Sequence, residues 1–317
     1  MRNNTKYLNL SALNTTLRHV VVVCAVSLAY LLLSWVLIGF KTDQLFLAAL
    51  FSALYLATPT TRRFILGFSI FIVYWIIYDY MKAFPNYAFN PVHIEDLYET
   101  EKGIFGIAQG SVTLTPNEFW RQHSFVIADV LAGAFYLCWI PVPLLFAGYL
   151  FYRDKAQFLE FSLTFLFVNL LGFAVYYLYP AAPPWYVQNF GFEFRAATPG
   201  NTAGLVRFDQ FFGIHLFSSL YAKGSNVFAA MPSLHSAYPL IVTYVGIKHK
   251  VGWINVVFVI ITLGIWFAAV YTSHHYVLDV LAGIFTASVG IAGFQWLQRT
   301  ERFSKLMNRY RNTIAQS

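Results

Sequence analysis

Charged residues are scarce in this chain. Asp, Glu, Lys and Arg together make up 11% of its 317 residues, whereas hydrophobic residues make up 58%. A soluble protein of this size needs far more charged surface to stay in solution. The shortage of charge therefore argues against an ordinary soluble enzyme and predicts an integral membrane protein. The aromatic share of 19% suits residues that line the two bilayer interfaces.

Cysteine is almost absent. Cys24 and Cys138 both lie within apolar runs, and two such thiols are too few for a disulfide framework or a zinc site. A basic stripe interleaved with aromatic residues is missing too, although the formal net charge is +7. The basic residues form short clusters between apolar runs, which is typical of membrane orientation. We expect no nucleic-acid partner, no metal and no cofactor.

Long apolar runs dominate the sequence instead. A helix needs about 20 residues to cross the hydrocarbon core, and about eight runs approach that length. We predict an all-α integral membrane protein that forms a single transmembrane domain over residues 1–317. The predicted spans are 19–40, 43–58, 64–81, 124–149, 157–179, 232–247, 252–272 and 276–297.

The basic residues orient these spans. With both termini in the cytoplasm, most of the 21 Lys and Arg residues fall in short inner loops and tails, as the positive-inside rule requires. The loops 82–123 and 180–231 then lie on the outer face, together with the starts of the sixth and eighth spans. We therefore expect the active site on the non-cytoplasmic face, which is periplasmic or lumenal. The inner residues are Arg2, Lys6, Arg18, Arg62, Arg63, Arg153, Lys155, Lys248, Lys250, Arg299, Arg302, Lys305, Arg309 and Arg311.

Two histidine-containing segments carry chemistry at membrane depth, where ionisable residues are costly. His275 and Asp279 are four residues apart, which places them on one helix face. A carboxylate beside an imidazole fixes its tautomer and prepares one nitrogen to attack phosphorus. A proton relay is the alternative interpretation of this pair.

The second segment, Met231-Pro-Ser-Leu-His-Ser236, is typical of a helix start. A helix N-terminus is a natural phosphate site, and His235 there can exchange a proton with an alkoxide or a hydroxyl. A lone His at a helix end is more often an interfacial hydrogen-bonding residue. Two such segments at matching depth favour catalysis by His235, His275 and Asp279.

The two segments, PSLHS and HHYVLDVLAG, resemble motifs of the type 2 phosphatidic acid phosphatase superfamily of membrane lipid phosphatases and phosphotransferases. The resemblance implies a six-helix core with the catalytic motifs in residues 232–297. It also implies that His275 is the nucleophile that forms a phosphohistidine, that Asp279 orients it, and that His235 is the acid–base residue.

The phosphatases of that superfamily carry a Lys and an Arg-Pro before the middle motif and a Ser-Arg before the final His. Here the corresponding stretches read YPAAPPWY (179–186) and AAVY (268–271), without these cations. The combination resembles the inositol phosphorylceramide synthase branch, which moves phosphoinositol from phosphatidylinositol to ceramide. A phosphodiester carries one negative charge and needs fewer cations than a monoester. A lipid phosphate phosphatase, a non-catalytic lipid or proton transporter and a zinc hydrolase remain alternatives.

Substrate-binding residues are expected around these motifs. Ser233 and His274 are placed for phosphate contact, although His274 is equally suited to capping a turn. Pro184, Trp185 and Tyr186 shape the headgroup pocket or form a rigid turn with an aromatic anchor. Lys223, Arg195 and Arg207 supply replacement charge or are simply solvated. The acidic and aromatic loop 82–123 forms a lid, a partner surface or, as the favoured interpretation, a solvated face.

Overall fold

The computed structural model describes residues 10–196, 198–222 and 226–315, and the α-helices of these residues carry the architecture. Arg2, Lys6 and Lys223 lie outside the described residues. The helices are α1 (Leu10–Ile38), α2 (Thr42–Ala57), α3 (Pro59–Tyr80), α4 (Glu95–Phe105), α5 (Pro116–Gln122), α6 (Val126–Leu137), α7 (Pro141–Arg153), α8 (Lys155–Leu178), α9 (Pro184–Phe190), α10 (Val206–Phe212), α11 (Leu216–Ala222), α12 (Leu234–Lys248), α13 (Ile254–Tyr271), α14 (Val277–Gln298) and α15 (Glu301–Ala315).

The chain divides into two compact units, residues 1–83 with 309–317 and residues 84–308. In the first unit α2 packs against both α1 and α3. Hydrogen bonds hold these apolar helices together, because a polar group in an apolar layer needs a partner. The hydroxyls of Ser34 and Tyr80 lie 2.8 Å apart, and Tyr310 donates to the carbonyl of Leu66 at 2.6 Å.

The second unit is built around α12, which packs against α7, α8, α13 and α14. Ala237, Ile241 and Val245 on this helix are fully buried. Its 15 residues cover about 22 Å at 1.5 Å per residue, less than the hydrocarbon thickness of about 30 Å. Because α12 is surrounded by other helices, it need not span the hydrocarbon layer alone and can begin within that layer.

The prediction of an all-helical membrane protein is confirmed, and a helix coincides with each predicted span. Among the residues that the structure describes, five helices are long and apolar enough to cross a membrane, namely Leu17–Ile38 of α1, Pro59–Ala83, α8, α13 and α14. The count rises to six if α6 and α7 form one bent span. The helix α2 is shorter than these candidates, and α12 is not among them.

The predicted span 124–149 is broken. Residues Cys138–Ile140 separate α6 from α7, and the two helices are bent by 40°. Pro141 begins α7, and proline lacks the N–H that a continuous helix would need at this point.

Both long loops are folded. They contain α4, α5, α9, α10 and α11, together with the hairpin of β1 (Ile107–Gln109) and β2 (Val112–Leu114). His93 joins the two loops, because its N–H donates to the Pro180 carbonyl at 2.8 Å and its carbonyl accepts from Ala182 N at 3.0 Å. The side-chain amide of Asn86 donates to the carbonyls of Tyr176 and Phe228, each at 2.8 Å. Glu95, Asp96 and Glu99 are exposed, in agreement with the interpretation of 82–123 as a solvated face, whereas Glu101 on the same helix is fully buried.

Candidate active site

His235, His275 and Asp279 form a continuous row. Nδ1 of His235 lies 3.0 Å from Nε2 of His275, and Nδ1 of His275 lies 3.5 Å from Oδ2 of Asp279. His275 is 5% exposed and Asp279 is fully buried. The tertiary structure thus brings together the three residues that the sequence analysis selected.

The row is positioned by two helix starts. Ser233 is the N-cap of α12 and accepts a hydrogen bond from Ser236 N, which places His235 in the first turn. Asp279 lies in the first turn of α14 and accepts from Tyr276 N at 2.8 Å. His275 precedes this helix, so the expectation that both members of the pair lie on the helix was wrong. The same carboxylate caps the start of α14 and lies on the side that faces His275.

The two motifs are locked to each other by backbone contact. Ser233 N donates to the carbonyl of Asp279 at 2.9 Å. A Cβ atom at Gly283 would lie 2.2 Å from the carbonyl oxygen of Ser233. Only glycine therefore allows α14 to approach the start of α12 this closely, which gives the glycine of HHYVLDVLAG a structural reason.

The negative charge of Asp279 acts on the imidazole of His275. Nδ1 of His275 lies 3.5 Å from Oδ2 of Asp279, an ion-pair contact, and makes no hydrogen bond with the described residues. A carboxylate on this side of the ring favours the tautomer with a proton on Nδ1. In that tautomer the lone pair on Nε2 faces Nδ1 of His235, 3.0 Å away.

A buried residue that the sequence analysis did not select supports the row from the long loop before it. The carboxylate of Glu101 is fully buried and accepts from Val277 N at 2.9 Å and Leu278 N at 3.0 Å, so it caps α14. Burial raises the pKa of Glu101 to about 7, although the two backbone bonds favour the charged form. Leu97, one turn earlier on α4, is also buried. The sequence signal that could have identified Glu101 is a carboxylate on the apolar face of a helix within a loop.

Asn117 is a second residue that the sequence analysis missed. It is fully buried, and its side-chain amide donates to the carbonyls of Val270 and His275 at 2.8 and 2.9 Å. It lies in the first turn of α5, whose start is capped by Thr115 and Glu118. Asn117 thus holds the loop that carries His275.

Aromatic rings enclose the imidazoles. The Tyr136 ring centroid lies 5.0 Å from that of His235 and 5.2 Å from that of His274. Trp139, at the break between α6 and α7, lies 4.5 Å from His235, and Tyr221 lies 4.7 Å from His274. The break therefore places an aromatic residue against the acid–base candidate. Nothing in the local sequence pairs these rings with the histidines.

The APPWY segment packs beside the catalytic loop. Trp185 N donates to the Ser273 carbonyl at 3.0 Å, and Gln188 donates to the Ser273 hydroxyl at 3.1 Å. Pro184 and Trp185 are buried. Tyr186 is fully buried, donates to the Glu193 carbonyl at 2.7 Å, and anchors the following loop.

Comparison with known proteins identifies the architecture. The profile of the PAP2 superfamily matches residues 110–293, more than half of the chain and both histidine motifs. This chain belongs to the PAP2 superfamily. The resemblance drawn from PSLHS and HHYVLD is thereby confirmed. No solved structure matches the chain significantly.

Curated PAP2-like relatives narrow the comparison. The chain is 44% identical to a phosphoinositol dihydroceramide synthase of Bacteroides thetaiotaomicron, over 89% of this chain and 93% of that protein. It is 28% identical to an inositol phosphorylceramide synthase of Candida albicans, over 50% of this chain and 36% of that one. It is 27% identical to the inositol phosphorylceramide synthase catalytic subunit AUR1 of Saccharomyces cerevisiae, over 71% of this chain and 55% of that one. The chain thus matches nearly all of the bacterial relative but about half or less of these fungal ones.

Of the predicted basic residues, the structure describes Arg207, which is half-buried, and Arg195. Arg207 pairs with Asp129 through Nε at 2.5 Å, and its guanidinium lies 5.2 Å from the Tyr271 ring centroid. Its Nη2 is buried and has no hydrogen-bond partner among the described residues. Arg195, in contrast, is half exposed and pairs with Glu193.

The sequence analysis kept a zinc hydrolase as an alternative function. Within residues 10–196, 198–222 and 226–315, no group of three or more His, Cys, Asp or Glu side chains is arranged to hold a metal ion. That the enzyme needs no metal remains a prediction, which an activity assay with a chelator tests.

Proposed function

We propose that this protein transfers phosphoinositol from phosphatidylinositol to ceramide or a related sphingoid lipid, through a phosphohistidine on His275. The row from Asp279 through His275 to His235 carries the proposal, because it presents an oriented nucleophile beside a proton donor. The names of the relatives support the choice of donor and acceptor.

The reaction has two steps. Nε2 of His275 attacks phosphorus, the bond from phosphorus to the diacylglycerol oxygen breaks, and His235 protonates that oxygen. The acceptor hydroxyl then gives its proton to His235 while its oxygen attacks phosphorus and the bond from phosphorus to His275 breaks. Asp279 stabilises the positive charge on His275 in both steps.

Substrate binding must separate the two imidazoles. Nε2 of His275 is 3.0 Å from His235, and an attacking atom needs to approach phosphorus to about 3–3.5 Å. Phosphorus cannot occupy that contact. His235 therefore turns toward the leaving oxygen as the donor lipid enters.

Phosphate contacts are proposed at the start of α12 and at Arg207. The hydroxyl of Ser233 accepts from Ser236 N and from the Ser236 hydroxyl, so its own proton remains to donate. Asp129 balances the charge of Arg207, but the unpartnered Nη2 still has N–H groups that suit an oxygen of a phosphodiester.

The proposed topology has about eight spans with both termini in the cytoplasm and the site on the outer side. With Lys248 at the inner surface, His235 lies inside the hydrocarbon core, because α12 covers about 22 Å of about 30 Å. Lipids then reach the row laterally from the bilayer. Labelling of engineered cysteines tests the sidedness.

The decisive assay uses purified enzyme in detergent with radiolabelled phosphatidylinositol, with and without ceramide. Label in inositol phosphorylceramide supports the transferase, whereas acceptor-independent release of inositol phosphate supports a hydrolase. Ping-pong kinetics and a labelled enzyme formed with donor alone support the covalent step. Full turnover by His275→Ala would overturn the mechanism, and complete loss of activity in EDTA would favour the zinc alternative.

A further inference from the structure

His274, the neighbour of the nucleophile, is held in one tautomer by Thr272. The Thr272 hydroxyl donates its single proton to the Ala268 carbonyl at 2.6 Å. The same oxygen lies 3.0 Å from Nδ1 of His274, so it must accept there. Nδ1 of His274 therefore carries the proton, and the lone pair of the neutral ring lies on Nε2.

That Nε2 atom is buried and has no hydrogen-bond partner among the residues that the structure describes. His274 is 5% exposed, and its ring lies between those of Tyr136 and Tyr221. Tyr136 also packs against His235, so the unpartnered nitrogen belongs to the same aromatic enclosure as the catalytic row. A buried polar atom without a partner is costly for folding and calls for a ligand or a functional reason.

The chemistry of the missing partner follows from the tautomer. A lone pair requires an O–H or N–H donor, whereas the oxygens of a phosphodiester are themselves acceptors. Phosphate contact, as expected from sequence proximity, does not suit this nitrogen in the neutral ring. The polyol headgroup and the alcohol of the acceptor lipid both offer hydroxyl groups.

We propose that Nε2 of His274 accepts a hydrogen bond from a substrate hydroxyl, and so selects a hydroxyl-bearing substrate at the site of phosphoryl transfer. This inference rests on the proposed function, because that reaction supplies the hydroxyls. It assigns the two ring nitrogens separate tasks, since Thr272 holds Nδ1 and the substrate takes Nε2.

The pair His274→Asn and His274→Gln separates the two tasks. An asparagine amide lies near the position of Nδ1 and can still donate to Thr272, but it leaves the Nε2 position empty. A glutamine carbonyl reaches the Nε2 position and can accept from a hydroxyl, while the contact with Thr272 is lost. We expect His274→Asn to lower kcat/KM about 10-fold or more, because a site built to bond a hydroxyl depends strongly on it. His274→Gln should be at least about 10-fold faster than His274→Asn.

The opposite ranking, or equal rates in the two variants, would overturn the inference and leave His274 as a loop anchor. Melting temperatures of both variants in detergent identify a variant that simply fails to fold. If the Gln variant fails, deoxy analogues of phosphatidylinositol replace it, together with ceramide analogues that lack only a hydroxyl other than the one that attacks phosphorus. Removal of the bonded hydroxyl should then slow the wild type and have little further effect on His274→Asn. A full additional loss with every analogue would contradict the proposal.

The two reaction steps distinguish the source of the hydroxyl. Slower formation of the labelled enzyme with phosphatidylinositol alone assigns the headgroup. Normal formation followed by slow transfer to ceramide assigns the acceptor. The wild type and His275→Ala, run beside these variants, test the proposed function itself, so its failure is recognised separately from a failure of the His274 assignment.

Discussion

At the scale of single residues, one carboxylate faces the imidazole that is proposed as the nucleophile. Asp279 accepts from Tyr276 N and lies 3.5 Å from Nδ1 of His275. It is fully buried, so water does not screen its effect on the ring. The reactivity proposed for His275 therefore depends on Asp279 as well as on the imidazole itself.

Replacement of this carboxylate should impair chemistry more than folding. We expect Asp279→Asn to lower turnover by about 10²–10⁴-fold, because the amide no longer fixes the tautomer or stabilises the charged ring. Initial rates of phosphoinositol transfer measure the effect. Asp154→Asn is the matched control, since Asp154 is an exposed N-cap of α8 and asparagine caps equally well. A transfer rate for Asp279→Asn within threefold of the control would exclude the assigned role.

Glu101 makes a second residue-scale prediction, for stability against pH. Burial raises its folded-state pKa to about 7 from the ordinary value of 4.5. The folded state therefore binds the proton more tightly, so the stabilisation is complete below about 4.5 and is lost as pH rises through about 7. The melting temperature should fall between pH 5 and pH 8, and less steeply in Glu101→Gln, which has no proton to lose. Parallel curves for the two proteins would show that Glu101 does not titrate in this range.

At the scale of elements, the site depends on how closely α14 approaches the start of α12. The Ser233 carbonyl occupies the space in which a Cβ of Gly283 would lie. Small residues let membrane helices approach closely in this way. The catalytic distance between His235 and His275 is therefore set by helix packing as well as by the motifs.

A methyl group at this contact should displace one helix from the other. We expect Gly283→Ala to cost about 1–3 kcal/mol in stability from overpacking and to reduce transfer. Gly293→Ala on the same helix is the control, because its added Cβ would lie 3.4 Å from the Phe167 ring, an ordinary contact. Melting temperature and initial rate are compared for the two variants. Equal behaviour of both would argue against the packing constraint.

At the scale of the whole molecule, the proposed sidedness predicts opposite labelling of two exposed positions. Glu193 follows α9 and Arg153 ends α7, and both are exposed. In a background with Cys24→Ala and Cys138→Ala, an impermeant thiol reagent should label Glu193→Cys from the non-cytoplasmic side and leave Arg153→Cys unlabelled until the membrane is opened. The reverse pattern would invert the topology.

The sequence by itself determined the class of protein, the family and the three residues proposed as the catalytic row. The long apolar runs and the low content of charged residues predict a membrane protein. His235, His275 and Asp279 lie in short motifs, and the local geometry of such motifs depends on a few neighbouring residues. The length of an apolar run also places membrane helices well, as α8, α13 and α14 show.

Only the tertiary structure decided which distant residues support that row. Glu101 and Asn117 act through bonds to backbone far along the chain, and Tyr136 and Trp139 meet the histidines across helices. Such contacts leave no periodic trace in the sequence. The break between α6 and α7 was missed because hydropathy alone draws 124–149 as one continuous span, and packing of the two shorter helices against their neighbours compensates for the break. The short α12, in contrast, lies close to the predicted span 232–247.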